Sequence, residues 1–219
     1  MNATPAEVHA GQAIYNRFVL SIYDVVVLGI SNRYIWQCPT RRLLAHYDQH
    51  VTANHLDVGV GSGYFLDHCR FPSPAPRVAL MDLNDNALAF ASRRIARYAP
   101  ETWRRNVLEP IAIDADGFDS IGVNYLAPGL PGPLESKAVA LDHLARLLNA
   151  GGVVFGATLL GQDVPRSVLA RRLMRTYNAK RIFSNEHDGL AGLEHALRER
   201  FRESSVEVVG CAALFAARV

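Results

Sequence analysis

The sequence has few cysteines: Cys38, Cys69 and Cys211 are the only three among its 219 residues, and they are far apart. Their odd number and wide spacing indicate neither a disulfide framework nor a zinc site, whose ligands come in closely spaced pairs. We therefore expect no metal cofactor, and we expect the protein to work in the reducing cytoplasm.

Long apolar runs are also missing. The most apolar stretch near the N-terminus, residues 18–30, is interrupted by Asp24 and is shorter than the roughly 20 residues that span a bilayer. It also lacks the basic start of a signal peptide. The sequence therefore predicts no association with a membrane.

The chain has no excess of one charge that would suit a nucleic-acid partner. Its 23 Lys and Arg residues nearly balance 21 Asp and Glu residues, and no dense basic block is interleaved with aromatic residues. With 219 residues and 49% hydrophobic content, the chain suits one substantial core and falls short of two independent domains. We expect a single domain over residues 1–219, with an N-terminal helical cap over 1–53 and an α/β core over 54–219.

Three helices are predicted before the core. Residues 4–7 have the sequence Thr-Pro-Ala-Glu, the form of a helix start with an N-cap and a capping box, and the helix should continue to about residue 17. Residues 18–36 are rich in aromatic and β-branched residues, which leaves helix and strand open, and we interpret them as a helix. Pro39 then opens a third helix.

From residue 54 onward, short apolar strands alternate with longer amphipathic segments, which is typical of a mostly parallel sheet covered by helices. The predicted strands are residues 54–59, 77–82, 106–109, 118–123, 152–159, 205–209 and 211–217, and the predicted helices are residues 62–70, 85–98, 135–148, 165–178 and 188–200. Little more than Gly210 separates the last two strands. This forces a tight hairpin and makes the final strand antiparallel to a neighbour.

A glycine-rich turn follows the first strand of this core. Residues 59–63 are Gly-Val-Gly-Ser-Gly and lead into a helix that begins near Tyr64. Glycines let the backbone approach a ligand closely, although such turns also serve only to pack a helix on its strand. The second strand ends in Asp82, which places a carboxylate where a ribose diol would lie beside the glycine turn.

Two nucleotide ligands compete for this site. A dinucleotide fold needs glycine or alanine at the sixth position of its Gly-x-Gly-x-x-Gly pattern, and this chain has Tyr64 there. Asp57, just before the first glycine, is poorly placed for a pyrophosphate and suits a ligand with an ammonium and a sulfonium group. Electrostatics therefore favours S-adenosylmethionine over NAD.

Four segments resemble the motifs of class I S-adenosylmethionine-dependent methyltransferases. Residues 56–63 are similar to the first motif, 81–84 to the second, 118–125 to the fourth strand and 148–155 to the turn into the fifth strand. The whole sequence most resembles a group of small bacterial and fungal methyltransferases. The resemblance implies a Rossmann-like α/β fold with a seven-stranded, mostly parallel sheet, helices on both faces and a C-terminal antiparallel hairpin.

The resemblance also implies roles for single residues. Asp57 and the glycine turn would hold the methionine part of S-adenosylmethionine, and Asp82 would accept hydrogen bonds from the ribose. The family often has an acid where this chain has Asn106, so an amide oxygen would accept from the adenine amino group. Asn124 would lie over the sulfonium, or would serve only as a turn residue. The implied cofactor contacts are Asp57, Gly59, Gly61, Gly63, Asp82, Leu83, Asn84, Asn106, Val107, Leu108, Asn124 and Tyr125.

In this family, the segments before the first strand and after the fifth usually cover the substrate, and both are aromatic here. The candidate substrate contacts are Tyr15, Phe18, Tyr23, Trp36, Tyr177, Phe183 and Asn185. A plain packing role is the alternative for these aromatic residues. Methyl transfer is an in-line displacement that needs alignment more than a base. The candidates for a base are Tyr15, Tyr23, Tyr125 and His9, and a surface position is the alternative for His9.

We therefore expect an enzyme that methylates a small molecule, an aromatic or apolar metabolite whose acceptor atom the sequence leaves open. A non-catalytic S-adenosylmethionine-binding partner or sensor is the alternative, because no base is evident. Tyr64 argues against a third candidate, a nicotinamide-dependent oxidoreductase. A homodimer is compatible with the sequence. The arginine-rich residues 166–175 suit a solvated helix face better than a docking site for an acidic carrier protein.

Overall fold

The computed structural model describes residues 24–219. The predicted helix over residues 4–17 lies outside the described residues. So do four of the predicted site residues, which are His9, Tyr15, Phe18 and Tyr23.

Seven strands form one sheet in the order β3-β2-β1-β4-β5-β7-β6. Their bounds are β1 Asn54–Val58, β2 Arg77–Asp82, β3 Glu101–Arg104, β4 Phe118–Asn124, β5 Leu148–Leu159, β6 Glu203–Val209 and β7 Ala212–Arg218. The first five strands pair in parallel, whereas β7 is antiparallel to both β5 and β6. The predicted mostly parallel sheet with a C-terminal antiparallel hairpin is confirmed.

The described part of the chain contains eight helices and two short 3₁₀ turns, of which two helices precede β1. The helices are α1 Asp24–Ile35, α2 Thr40–His50, α3 Tyr64–His68, α4 Asp85–Arg94, α5 Leu134–Lys137, α6 Val139–Ala145, α7 Val168–Ala179 and α8 Leu190–Arg198. The 3₁₀ turns are Ala96–Tyr98 and Ala127–Gly129. Helix α1 is π-helical, and the N–H of Trp36 still donates to the carbonyl of Ser31, five residues earlier, at 2.9 Å.

Helices cover both faces of the sheet. On one face, Leu56 of β1 packs in a cluster with Leu144 of α6 and Leu193 of α8. On the other face, Leu80 of β2 packs in a cluster with Ala91 of α4 and with α2. The central strands are buried on both sides, which is why the sequence has nearly continuous apolar runs there.

The third strand is the main error of the sequence prediction. It spans Glu101–Arg104, whereas residues 106–109 were predicted. Strand β3 is at the edge of the sheet and three of its four residues are exposed, so no apolar run marks it. Val107, which suggested a strand, is 5% exposed because it packs on the core from a loop.

Other boundaries also differ from prediction. The helix expected over residues 135–148 is divided into α5 and α6, and β5 begins at Leu148 instead of 152. Helix α4 ends at Arg94 and is followed by a 3₁₀ turn. Apart from the division of that helix, these differences lie at element ends, where hydrophobic patterning is least informative.

A two-residue turn of Gly210 and Cys211 joins β6 to β7. Gly210 has φ +58°, and a Cβ there would lie 2.3 Å from the carbonyl oxygen of Trp36. The N–H of Cys211 donates to that same carbonyl at 2.8 Å. Because Ala212 pairs with Leu159 at the end of β5, this turn lies at the carboxyl edge of the parallel strands.

All three cysteines are free and buried. Burial raises the pKa of Cys38 to about 11 and that of Cys69 to about 12, which keeps these thiols protonated and unreactive. Within residues 24–219, no helix is both long and apolar enough to cross a bilayer. In the same range, no cluster of three or more His, Cys, Asp or Glu side chains is arranged to hold a metal ion.

Candidate active site

A cleft lies at the carboxyl ends of β1, β2 and β4, where open α/β sheets usually bind ligands. Together with the open space at its mouth it measures about 980 Å³. The cleft is lined by Val58, Gly59, Gly61, Met81, Asp82, Leu83, Asn84, Ala87, Arg105, Asn106, Val107, Asn124, Tyr125, Leu126, Gly129, Leu130, Pro131, Ile182 and Phe183.

The glycine turn forms one wall of this cleft. Gly59, Gly61 and Gly63 have φ values of +72°, +50° and +72°, a region that side chains disfavour. A Cβ on Gly59 would approach Leu126 to 2.9 Å, and one on Gly63 would approach Ala91 to 3.1 Å. A Cβ on Gly61 would have no atom within 4 Å, because this residue faces open space. The absence of a side chain at Gly61 therefore keeps the cleft open, whereas at Gly59 and Gly63 it also allows close packing.

Asp82 faces the glycine turn from the end of β2. Its Oδ1 accepts the N–H of Asn84 at 2.8 Å, and backbone N–H groups of Leu83, Val60 and Gly61 also stabilise the carboxylate. Burial outweighs these donors and raises the pKa of Asp82 to about 6. A partly desolvated carboxylate of this kind is a strong acceptor for hydroxyl groups.

Asp57 lies in β1, two residues before Gly59, is 7% exposed and is not among the residues that line the cleft. Its Oδ2 accepts the hydroxyl of Tyr47 at 2.6 Å, and the Tyr47 oxygen is 2.7 Å from Nε2 of His55. On the other side of the ring, Nδ1 of His55 lies 2.8 Å from Oγ of Ser120. A Cβ on Gly122, the partner of Asp57 in β4, would come within 3.0 Å of Oδ2. A buried polar network therefore fixes the orientation of the Asp57 carboxylate.

The side chain of Asn106 is occupied within its own loop. Its Oδ1 accepts the N–H of Leu108 at 3.1 Å, and its Nδ2 donates to Glu109 at 2.9 Å. Asn106 and Val107 line the cleft, as does Arg105, which the sequence reasoning did not single out. Leu108 instead packs against the hydrophobic core.

Asn124 and Tyr125 follow one another where β4 reaches the cleft, and both line it. Asn124 is the last residue of β4 and pairs with Ala157 of β5. Tyr125 has φ +56°, its N–H donates to the Ala157 carbonyl at 2.7 Å, and its side chain lies close to the Cys38 thiol. This left-handed backbone is strained for a non-glycine residue, as is common at functional sites.

The segment after α7 forms the opposite wall. Ile182 and Phe183 line the cleft. Trp36 and Tyr177 do not line it but support Phe183, with ring centroids at 6.4 Å and 5.0 Å from that of Phe183. Aromatic packing therefore holds Phe183 in place.

Asn185 is fully buried and is not part of the cleft wall. Its Nδ2 donates to the carbonyl of Leu159 at 2.8 Å, and its Oδ1 accepts from Asn178 at 2.9 Å. Asn185 thus attaches this segment to the end of β5.

Comparisons with known proteins agree with this geometry. Residues 56–154 match the family described as "Methyltransferase domain". The chain is 38% identical over 207 residues to demethylluteothin O-methyltransferase of Streptomyces thioluteus, covering 94% of this chain and 90% of that protein. It is also 38% identical to the physcion biosynthesis cluster O-methyltransferase of Aspergillus chevalieri, covering 98% and 96% of the two chains.

The chain belongs to the methyltransferase family. This identification confirms the predicted enzyme class and excludes the nicotinamide-dependent oxidoreductase. Among solved structures, the methyltransferase matches one described as "DhpI-SAH complex structure" with a TM-score of 0.70, at 16% identity and over 99% and 98% of the two chains. At that identity the match supports the fold alone.

Sequence reasoning missed the buried partners of Asp57 in this methyltransferase. His55 and Asp57 occupy alternate positions of β1, so their shared face could have been inferred from the two-residue period of a strand. Tyr47 and Ser120 gave no such signal, because the packing of α2 on the sheet and the register of β4 bring them there.

Proposed function

We propose that this methyltransferase transfers the methyl group of S-adenosylmethionine to a hydroxyl oxygen of a small molecule. The observation that carries the proposal is that Gly61, which faces open space, lies directly beside the partly buried Asp82 carboxylate in the same cleft. The cleft also lies at the edge of the sheet where α/β folds bind nucleotides.

The residues present fit this cofactor, which supplies an electrophilic methyl group when bound. Asp82 would accept hydrogen bonds from the two ribose hydroxyls, and the turn around Gly61 lets the backbone approach the methionine part. Tyr47 donates to Oδ2 of Asp57, and the carboxylate held in this way would attract the ammonium group. Backbone groups of Asn106 and Val107 would surround the adenine.

Two observations support an oxygen acceptor on an apolar molecule: the names of the two relatives, and the apolar residues that line the cleft. Both relatives described above are named O-methyltransferases. The acceptor side of the cleft is apolar, with Leu126, Leu130, Ile182 and Phe183, and suits an aromatic or apolar molecule. A phenol or acidic enol can arrive ionised and then needs no base from the protein. The wall would align the oxygen and exclude water.

A turnover assay tests the proposal. Purified enzyme with labelled S-adenosylmethionine should label phenols and enols in a panel that also contains thiols, amines and carboxylic acids. Labelling of amines or thiols alone would contradict the choice of oxygen. Calorimetry that detects cofactor binding while every acceptor and a cell extract stay unlabelled would favour the non-catalytic alternative.

A matched glycine pair separates cofactor binding from backbone strain. Gly61→Ala should weaken binding of S-adenosylhomocysteine by about tenfold or more, because its Cβ would occupy the cleft. Gly151→Ala is the control, since Gly151 also has a positive φ and open space but lies in β5 away from the cleft. Both variants should lose about 1 kcal/mol of stability to backbone strain. Equal affinities of the two variants, measured by calorimetry, would refute the role of Gly61.

A further inference from the structure

A second groove continues from the candidate active site along α7. It shares Gly129, Pro131 and Phe183 with the cleft, so the two spaces adjoin. Its far wall includes Arg175 of α7 and Arg181, which follows that helix. A molecule whose reacting group lies beside Phe183 could therefore extend into this groove.

The groove is rich in positive charge. Arg175 also borders a smaller pocket with Arg166 and Arg171, so four arginine residues line the two adjoining spaces. Within residues 24–219, none of the four has a carboxylate within 4.0 Å. Glu186 is the one exposed carboxylate on the lining, which leaves a net positive charge.

The other acidic residue of the groove does not reduce this charge. Asp188 is 1% exposed and its Oδ2 accepts from Nζ of Lys137 at 2.6 Å. This buried pair is neutral as a unit.

Arg181 holds a backbone position that normally favours glycine. The N–H of Arg181 donates to the carbonyl of Asn178 and the N–H of Ile182 to that of Tyr177, both at 2.9 Å. These are the two hydrogen bonds of a Schellman motif, whose left-handed residue is usually glycine. Here that residue is Arg181, with φ +56°. The turn sends Ile182 into the cleft and leaves the Arg181 side chain on the groove.

We infer that Arg175 and Arg181 bind a negatively charged group, a carboxylate or a phosphate, on the methyl acceptor. The apolar part of the acceptor then lies against Phe183, with its hydroxyl in the cleft. This inference rests on the proposed function and narrows its substrate class to anionic hydroxyaryl molecules. Guanidinium groups suit both anions, because they donate parallel hydrogen bonds to two oxygens.

Matched ligands provide the test. Enzyme saturated with S-adenosylhomocysteine is titrated by calorimetry with hydroxynaphthoic acids, hydroxynaphthyl phosphates and the neutral hydroxynaphthamides. The wild type should bind one anionic class about tenfold more tightly than the amides, as expected for partly solvated charge-assisted hydrogen bonds. The anionic ligand class that binds more tightly than the amides identifies the charged group of the acceptor. Added salt should reduce this difference in affinity between anion and amide.

Three variants locate the effect. Arg175→Ala and Arg181→Gly should each remove most of the preference for the anion. Arg181→Gly should keep or raise the melting temperature, because glycine relieves the left-handed strain, so misfolding would not explain its loss of binding. Arg172→Ala is the control, since Arg172 is exposed on the same helix and lines neither groove. It should retain the preference.

Wild-type enzyme that binds no anionic ligand more tightly than its amide, including the case in which neither binds, would overturn the inference. An equal loss in Arg172→Ala would also overturn it, because the effect would then come from general helix charge. The proposed function fails separately, if S-adenosylhomocysteine itself does not bind to the enzyme. The same anionic and neutral ligands are therefore also titrated into enzyme without S-adenosylhomocysteine, so that the two failures can be distinguished.

Discussion

Replacing Asp82 with asparagine should stabilise the ligand-free enzyme and weaken its binding of S-adenosylmethionine at the same time. Burial raises the pKa of Asp82 from 3.8 to about 6, so keeping the carboxylate ionised at neutral pH opposes folding. Asparagine removes that charge. We expect a gain of roughly 1 to 2 kcal/mol, or a few degrees in melting temperature. Cofactor affinity should fall about tenfold, because a neutral amide is a weaker acceptor for the ribose hydroxyls.

The pH dependence gives this prediction a second readout. Because the pKa is higher in the folded protein, the contribution of Asp82 to stability is fully present below pH 3.8 and is lost as the pH rises through about 6. The extra stability of Asp82→Asn over the wild type should therefore be small at pH 4 and reach its full size near pH 7. Wild-type cofactor affinity should decline below about pH 6, whereas that of the variant should change little.

Asp85→Asn is the matched control for both measurements. The Asp85 side chain is 72% exposed, and the residue lies outside the cleft lining in the first turn of α4. Its variant should change neither cofactor affinity nor, by more than about 1 kcal/mol, stability. Calorimetry and thermal melts at the two pH values measure both effects. A less stable Asp82→Asn protein at pH 7 would mean that the backbone donors outweigh the burial of the charge.

Lys137→Met should destabilise the enzyme more than the substitution of any exposed residue. Lys137 and Asp188 are 3% and 1% exposed, and Nζ of Lys137 also donates to the carbonyl of Ser184. Burial lowers the pKa of Lys137 and raises the pKa of Asp188, while each charge opposes the shift of the other. Removing the lysine leaves a buried carboxylate without its partner, which costs about 3–5 kcal/mol.

Two further variants make this prediction specific. The double variant Lys137→Met with Asp188→Asn should recover much of the loss, because no uncompensated charge remains. Arg198→Met removes one partner of an exposed pair with Glu194, whose side chains are 61% and 39% exposed, and should change stability by less than about 1 kcal/mol. Urea denaturation gives all three values. A double variant no more stable than the single one would show that the charge imbalance is not the cause.

The sequence predicts the buried part of this fold better than its edges. β1 and β2 are central strands with almost every residue buried, and their apolar runs were recognised with boundaries within one residue. β3 is an exposed edge strand, and the pattern of Val107 and its neighbours placed it too late. Hydrophobic patterning reports burial, so it misses a strand that is held by hydrogen bonds and little apolar contact.

The candidate site shows the same division. The glycine turn and Asp82 were found because each lies at the carboxyl end of a buried strand. The environment of Asp57 was not found, since Tyr47 reaches it from a separate helix through tertiary packing. Asn185 was expected at the substrate, but its amide is bonded to Leu159 and Asn178, and residue type alone could not distinguish these uses.

The hydrogen bond between the Cys211 N–H and the Trp36 carbonyl has a practical use. The thiol of Cys38, two residues after Trp36, lies close to the side chain of Tyr125 at the cleft. Lifting the N-terminal segment away from the hairpin would therefore expose one identifiable amide proton to solvent. Its deuterium uptake would report how often the contact between the Trp36 segment and the hairpin opens.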